Sequence, residues 1–229
     1  MTKKPVKAAG VTRSLSVKLK NAGKRTTAQQ AWLSRQLNDP YVAAARAQGW
    51  RSRAAFKLME LDDKFSLLQP GTRVVDLGAA PGGWSQVAVK RGASRVVGVD
   101  LLAIDPVAGA ELLQGDFTDE DMPDRLTALL GGPADLVLSD MAPNTTGHTA
   151  TDHLRIIGLA EMALEFAIKI LAPGGGFVAK VFQGGTEKNM LVPMKLCFTH
   201  VRHAKPPASR KGSSELYVVA TGFRGDQRP

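Results

Sequence analysis

The run Val75-Asp76-Leu77-Gly78-Ala79-Ala80-Pro81-Gly82-Gly83-Trp84-Ser85 carries the strongest local signal in the chain. A short β-branched segment enters a glycine-rich turn, and the turn opens a helical pattern. That arrangement lets backbone approach a bound nucleoside closely. The spacing departs from G-x-G-x-x-G, because Ala80 and Pro81 hold the middle positions. Pro81 offers no N–H, so the turn is a poor pyrophosphate cradle, which argues against a dinucleotide. Three acids follow at the ends of later strand-like segments. Asp100 lies 24 residues after Asp76, where a carboxylate can accept both hydrogen bonds of a ribose diol. Asp116, in Gly115-Asp116-Phe117, can take the exocyclic amine of an adenine, and Asp140 stands in Ser139-Asp140-Met141-Ala142-Pro143-Asn144. Each alone could be a loop cap or a surface charge. In register at successive strand ends, they mark the carboxyl edge of a sheet, where doubly wound folds bind ligands.

The elements that must position these groups alternate from about residue 40 onward. Strand-like segments are expected at Thr72–Leu77, Arg95–Asp100, Ala110–Leu113, Ala134–Ser139, Gly176–Phe182 and Leu216–Thr221. Most are short and nearly continuous in apolar character, as in a parallel sheet covered on both faces. Helices are expected over Ser52–Phe65, Trp84–Arg91, Asp152–Leu171 and Glu187–Phe198. The long one keeps Ile156, Leu159, Ala160, Ala163, Leu164 and Ala167 on one side, and Ala172-Pro-Gly-Gly-Gly stops it. The pattern predicts a doubly wound, Rossmann-like α/β fold. Residues 1–38 read as a basic, flexible arm and 39–229 as one domain.

Of 229 residues, 30 are Lys or Arg and 21 are Asp or Glu, a net charge of +9. The excess sits at one end: residues 1–57 hold 13 basic residues and one acid, Asp39, and the remainder nets −3. An arm of this kind points to a polyanion, since each phosphate it neutralises releases counterions. A solvated solubility tail and an organelle transit peptide are the other readings, the latter weakened by the excess of Lys over Arg. A second acid-free stretch, Lys188 to Ser214, carries Lys195, Arg202, Lys205, Arg210 and Lys211. With few Tyr and no run of aromatics, RNA capture would rest on phosphate contacts rather than stacking. Cys197 is the single cysteine, which excludes a disulfide framework and reads as a small buried apolar residue. No apolar run is long enough to span a bilayer, and none follows the N-terminus as a secretory signal does. The expectation is a soluble monomer of the reducing cytoplasm with no membrane partner. The histidines at 148, 153, 200 and 203 lack metal-ligand spacing and read as loop or surface residues. Asp119-Glu-Asp121 reads as a charged helix start.

With DLGAAPGGWSQ, the Asp100-Leu-Leu turn, GDF, SDMAPN, AKVFQG and SSELYVVATG in this order, the chain resembles the FtsJ-type ribosomal RNA methyltransferases from about Trp32 to Gly222. The resemblance implies a class I methyltransferase fold with a mostly parallel seven-stranded sheet and a last antiparallel hairpin. The seventh strand then falls near Phe198–Ala204. It implies S-adenosylmethionine as cofactor, with Gly78, Gly82, Gly83 and Trp84 shaping its pocket, Asp100 on its ribose, Asp116 near its adenine, and Asp140 beside it. It implies a catalytic set at Lys57, Asp140, Lys180 and Glu215. The implied reaction is 2′-O-methylation of a uridine ribose in 23S ribosomal RNA, on the large ribosomal subunit.

Methyl transfer from a sulfonium to a hydroxyl needs alignment and a destination for a proton. A lysine base must be neutral, yet its free pKa is about 10.4. Burial and a second cation both lower that value, and Lys180 in an apolar strand with Lys57 near it would meet both conditions. Asp140 and Glu215 pull the other way, so their expected work is orientation. The rival readings are a transfer RNA or messenger-cap methyltransferase, a non-catalytic RNA-binding assembly factor on the same scaffold, and a dinucleotide-dependent oxidoreductase, which Pro81 opposes.

Overall fold

The computed structural model describes residue 23 and residues 26–142, 149–182 and 187–228. Seven strands form one sheet: β1 (Arg73–Leu77), β2 (Arg95–Asp100), β3 (Glu111–Gln114), β4 (Ala134–Ser139), β5 (Leu171–Phe182), β6 (Phe198–Ala204) and β7 (Glu215–Phe223). Their order across the sheet is β3-β2-β1-β4-β5-β7-β6. The β1–β2, β1–β4, β2–β3 and β4–β5 pairs are parallel, and β7 runs antiparallel to both β5 and β6. The strand expected near Phe198–Ala204 is β6. The helices are α1 (Thr27–Leu37), α2 (Pro40–Gln48), α3 (Ala54–Phe65), α4 (Gly83–Lys90), α5 (Met122–Leu130), α6 (Thr149–Ile170) and α7 (Glu187–Cys197).

Strand alternation sorts the side chains onto two cores. Val75, Leu77, Val97, Val99 and Ala179 meet α5, α6 and α7 through Met122, Leu126, Ala163, Leu164 and Met194. Val74, Val96, Leu136, Leu138, Val178, Tyr217 and Val219 meet α3 and α4 through Leu58, Leu61, Trp84 and Val87. Each fully buried aliphatic side chain contributes about 1.5–3 kcal/mol. Away from Ala134 and Phe223 at the strand ends, which pack in the first core, even-numbered positions of β1, β4 and β5 and odd-numbered ones of β7 thus point toward α3. Asp76, Asp140, Lys180 and Glu215 all share that parity.

Two helices, α1 and α2, go beyond the sequence expectation, while α5 follows the charged helix start read at Asp119-Glu-Asp121. α5 begins right after Asp121, carries Pro123 in its first turn and ends on Gly131 at φ 69°. α1 and α2 lie at the basic end. Thr26 and Gln29 close a capping box on α1, the Thr26 hydroxyl accepting from Gln29 N and Gln29 Oε1 accepting from Thr26 N. Asp39 caps α2 from the residue before Pro40, accepting from Tyr41 N at 3.0 Å. Both helices are weakly amphipathic, so periodicity did not reveal them while their caps are plain in the sequence. Of the expected arm, residues 1–22, 24 and 25 lie outside the described residues.

The stop at Ala172-Pro-Gly-Gly-Gly takes an unexpected form. α6 ends at Ile170 and β5 starts at once, and the Pro-Gly stretch is looped out between the pairs Ala134↔Leu171 and Leu136↔Gly176. Ladder pairing then resumes at Gly176, where the strand was expected.

Candidate active site

β1, β2 and β4 end at one edge, and the glycine turn leaves β1 there. Gly78 has φ +79°, and a Cβ on it would stand 2.8 Å from Met141 Cα and N. The residue must therefore be glycine for two reasons, its left-handed backbone and the close passage of the Asp140–Met141 segment. Asp140 N donates to Leu77 O at 3.0 Å, which locks that segment to the end of β1. Gly82, at φ +99°, is the N-cap of α4. Gly83 opens α4 against the Ser52 hydroxyl, 2.6 Å from where a Cβ would stand. The Arg51 guanidinium crosses behind the turn and donates to the carbonyls of Pro81, Asp105 and Pro106.

Asp100 is held by two backbone donors, Ala80 N on Oδ2 and Leu102 N on Oδ1, each at 2.9 Å. Both oxygens are thereby aimed, and each keeps a lone pair for a further donor. Asp116 accepts from Thr118 N (2.8 Å) and Thr118 Oγ1 (2.7 Å), both on Oδ1. The Thr118 N–H and hydroxyl hold its carboxyl below the usual aspartate range. Trp84 is almost wholly buried. Its Nε1 donates to Ala54 O at 2.8 Å, and its ring lies 5.6 Å from that of Tyr217. In this position the indole braces α3 and α4 against the sheet.

The four residues of the expected catalytic set come together in one hydrogen-bonded chain, and a fifth residue, Tyr217, links them. Lys57 projects from α3 and donates to Glu215 (2.8 Å to Oε1, 2.9 Å to Oε2) and to the Tyr217 hydroxyl at 3.0 Å. Tyr217 donates in turn to Asp140 Oδ1 at 2.8 Å. Lys180 Nζ closes the chain with bonds to Asp140 Oδ1 (3.0 Å) and the Asp140 carbonyl (2.6 Å). Ser209 Oγ donates to Glu215 Oε1 at 2.7 Å. Lys180 is buried, 8% exposed, and Tyr217 fully so.

The electrostatics follow from this packing. Burial pushes the Asp140 carboxyl up, but the Lys180 and Lys57 charges and the bonds from Lys180 and Tyr217 together outweigh it and hold it below the usual range. Burial, with the Asp140 and Glu215 charges, drives the Tyr217 phenol well above its ordinary value, so it stays a donor. Asp76 lies deeper on the same face. Burial pushes its carboxyl up to about 7, against the bond from Ser85 and reinforced by the charges of Asp140 and Asp100. Sequence reading missed Tyr217. The available signal was its spacing of two from Glu215 on a strand, which puts both on one face.

A seven-stranded sheet of this order, with a glycine turn after β1 and acids at the ends of β2 and β4, defines a class I methyltransferase fold. Residues 50–223 match the FtsJ-like methyltransferase family. The chain is 71% identical over 219 residues to the ribosomal RNA large subunit methyltransferase E of Gluconobacter oxydans, covering 96% of this chain and 82% of that one. It is 74% identical over 208 residues to the enzyme of the same name from Granulibacter bethesdensis, covering 91% and 90%. Among solved structures it is similar to a Plasmodium falciparum protein named as a ribosomal RNA methyltransferase, with TM-score 0.68, 29% identity, and coverage of 77% of this chain and all of that one. The chain belongs to the FtsJ-like methyltransferase family. S-adenosylmethionine is its cofactor, and the pinned Asp100 carboxylate beside the glycine turn fits the diol of that nucleoside. Among the described residues, no helix is long and apolar enough to cross a membrane.

Proposed function

We propose that the protein transfers a methyl group to the 2′-hydroxyl of a uridine in 23S ribosomal RNA, on the large ribosomal subunit in the cytoplasm, acting as a monomer. The observation that carries this reading is the unbroken chain Glu215–Lys57–Tyr217–Asp140–Lys180, set against the glycine turn through Leu77, Gly78 and Met141. The relatives' names point to ribosomal RNA, and the basic N-terminal quarter suits a polyanionic partner. We assign residues 39–229 to the catalytic domain and the preceding residues to an RNA-facing arm.

When bound, S-adenosylmethionine supplies a methyl group on a cationic sulfur. Asp100 would accept from its ribose hydroxyls and Asp116 from its adenine amine, while Gly78, Gly82 and Gly83 would leave room for the backbone to approach. Trp84 acts from behind, by holding α4 in place.

Lys180 is the base. A neutral amine has two N–H groups and one lone pair. Asp140 offers two acceptors, its carbonyl and Oδ1, so the two N–H groups are engaged and the lone pair is left to face the ribose. Lys180 Nζ would accept the hydroxyl proton as the oxygen takes, in line, the methyl group that the sulfonium supplies, the S–C electron pair remaining on sulfur. Lys57 makes three donor bonds, two to Glu215 and one to Tyr217. Its charge and Tyr217's grip on Asp140 set the field around Lys180. A positioned base is worth roughly 10²–10⁴-fold, and alignment up to about 7–11 kcal/mol.

The test is transfer of labelled methyl from S-adenosylmethionine to large subunits lacking the modification, beside free ribosomal RNA and transfer RNA. Label mapped to a uridine ribose of the subunit is the expected result. Label on transfer RNA alone would overturn the substrate and keep the chemistry.

A further inference from the structure

Arg51 is the first cation of the stretch Arg51-Ser-Arg53-Ala-Ala-Phe-Lys57, yet its guanidinium goes to three backbone carbonyls rather than to a carboxylate. Nη1 donates to Pro81 O at 3.1 Å and to Asp105 O, and Nη2 donates to Pro106 O at 2.5 Å. Pro81 belongs to the glycine turn after β1, and Asp105 and Pro106 belong to the loop between β2 and β3. The same two loops hold Asp100, which accepts from Ala80 N on Oδ2 and from Leu102 N on Oδ1. Turn, carboxylate, loop and guanidinium thus close one ring of hydrogen bonds. The turn is built to let the side chain pass: a Cβ on Gly82 would stand 3.0 Å from Arg51 Nη1, 3.2 Å from Arg51 Cδ and 2.9 Å from Val107 Cγ2. The backbone of Arg51 is fixed as well. Its N–H donates to Gln86 Oε1 of α4 at 2.9 Å, and Gln86 Nε2 donates to Gly49 O at 3.4 Å.

We propose that Arg51 is a positioning residue for cofactor binding: by tying the glycine turn to the β2–β3 loop, it sets where Asp100 presents its two oxygens to the nucleoside's diol. This rests on the assignment of Asp100 to the cofactor's ribose. A carboxylate that takes two hydroxyl donors at once depends on its own orientation, and here one N–H from each loop sets that orientation. If the loops part, Asp100 can no longer meet both N–H groups together. Residues 101–110 contain neither helix nor strand, so Arg51 supplies a restraint between the loops that regular structure does not. Arginine is the fitting side chain, because its rigid fork spreads donors over separate nitrogens, whereas lysine offers all of its donors from one. The carbonyls it serves carry no net charge, so its work here is geometric.

The experiment compares the full-length wild type with Arg51→Lys, Arg51→Ala, Asp100→Ala and the variant combining Arg51→Lys with Asp100→Ala. Affinity for S-adenosylhomocysteine is read by isothermal titration calorimetry, below the melting transition of each variant. Amide exchange over residues 101–110 and the KM values for cofactor and for large ribosomal subunits are measured alongside. Arg51→Lys should weaken the nucleoside about tenfold, within the range of coupled neighbouring groups, and Arg51→Ala should weaken it further. Exchange over 101–110 should quicken in the free protein, as for backbone released from a restraint. The loss should appear in the KM for cofactor, while the KM for subunits and its salt dependence hold. In the Asp100→Ala background, Arg51→Lys should add less than about twofold, because it acts through that carboxylate. Wild-type affinity in Arg51→Lys would overturn the proposal, and so would an undiminished loss in the Asp100→Ala background. A raised KM for subunits with a salt slope lower by about one would mark Arg51 as a phosphate contact and overturn it too. Wild-type affinity in Asp100→Ala would instead remove the ribose assignment itself, and the role of Arg51 with it.

Discussion

Lys180 and Tyr217 stand directly opposite each other on β5 and β7, and both reach the same carboxylate oxygen, Asp140 Oδ1, at 3.0 and 2.8 Å. An antiparallel register therefore fixes the geometry of the proposed base. Tyr217→Phe keeps the ring against Trp84 and removes only the hydroxyl. Hydrogen bonds to charged groups are worth about 1.5–3 kcal/mol, so turnover should fall roughly 10- to 100-fold, while cofactor affinity stays near wild type. Steady-state kinetics beside a cofactor titration measures both, and an unchanged kcat would remove Tyr217 from the chain of positioning groups.

Lys180→Ala should lose at least about 10²-fold in turnover, the low end for a general base. Lys180→Arg should be no better, because a guanidinium keeps its proton at any working pH. A pre-steady-state methyl-transfer assay, run at saturating cofactor, separates this from a binding defect. Activity in the Arg variant close to that of the wild type would rule out proton abstraction by residue 180.

Asp76 links pH to stability. Its carboxyl sits at about 7 in the folded chain, against about 3.9 when unfolded. The native state then binds more protons than the unfolded state between those values. Its contribution is full below about pH 4 and is lost as pH rises through about 7. Asp76→Asn keeps an acceptor for Ser85 and cannot ionise. Urea midpoints of variant and wild type should diverge in the variant's favour from about pH 5 to pH 8. Parallel curves would show that the buried carboxyl does not titrate in this range.

Glu60 ties the segment before β7 to α3. Its Oε2 accepts from Ala208 N at 2.7 Å and its Oε1 from the Tyr41 hydroxyl at 3.2 Å. Ala208 is fully buried, so Glu60→Ala strands an N–H and should cost about 1–3 kcal/mol. Loosening the neighbouring Ser209–Glu215 bond should also lower turnover several-fold. Glu60→Gln, which keeps a carbonyl acceptor, should recover most of both. Equal loss in the Gln and Ala variants would mean that the charge, rather than the anchoring bond, matters.

Much of the fold is legible in the chain because its cues are local. Six strands and four helices announce themselves through period, β-branching and Pro or Gly punctuation, and β5 differs only in its looped-out start. α1 and α2 escape periodicity, since their apolar faces are weak; only the capping residues Thr26, Gln29 and Asp39 betray them. The glycine turn and the acids Asp100, Asp116 and Asp140 are readable as one edge of the sheet, because each follows a strand running in the same direction.

Residue order alone settles which residue types stand at which strand ends and on which face of each element. Who meets whom is a matter of packing. Lys57 finds Glu215 across 158 residues, and Arg210 finds Asp39 across 171. Tyr217 becomes the bridge between two lysines because β7 pairs antiparallel with β5 in one particular register. Side-chain direction along a strand follows from backbone pleat and needs no partner, whereas register and helix docking are set by the packing of segments far apart in the chain.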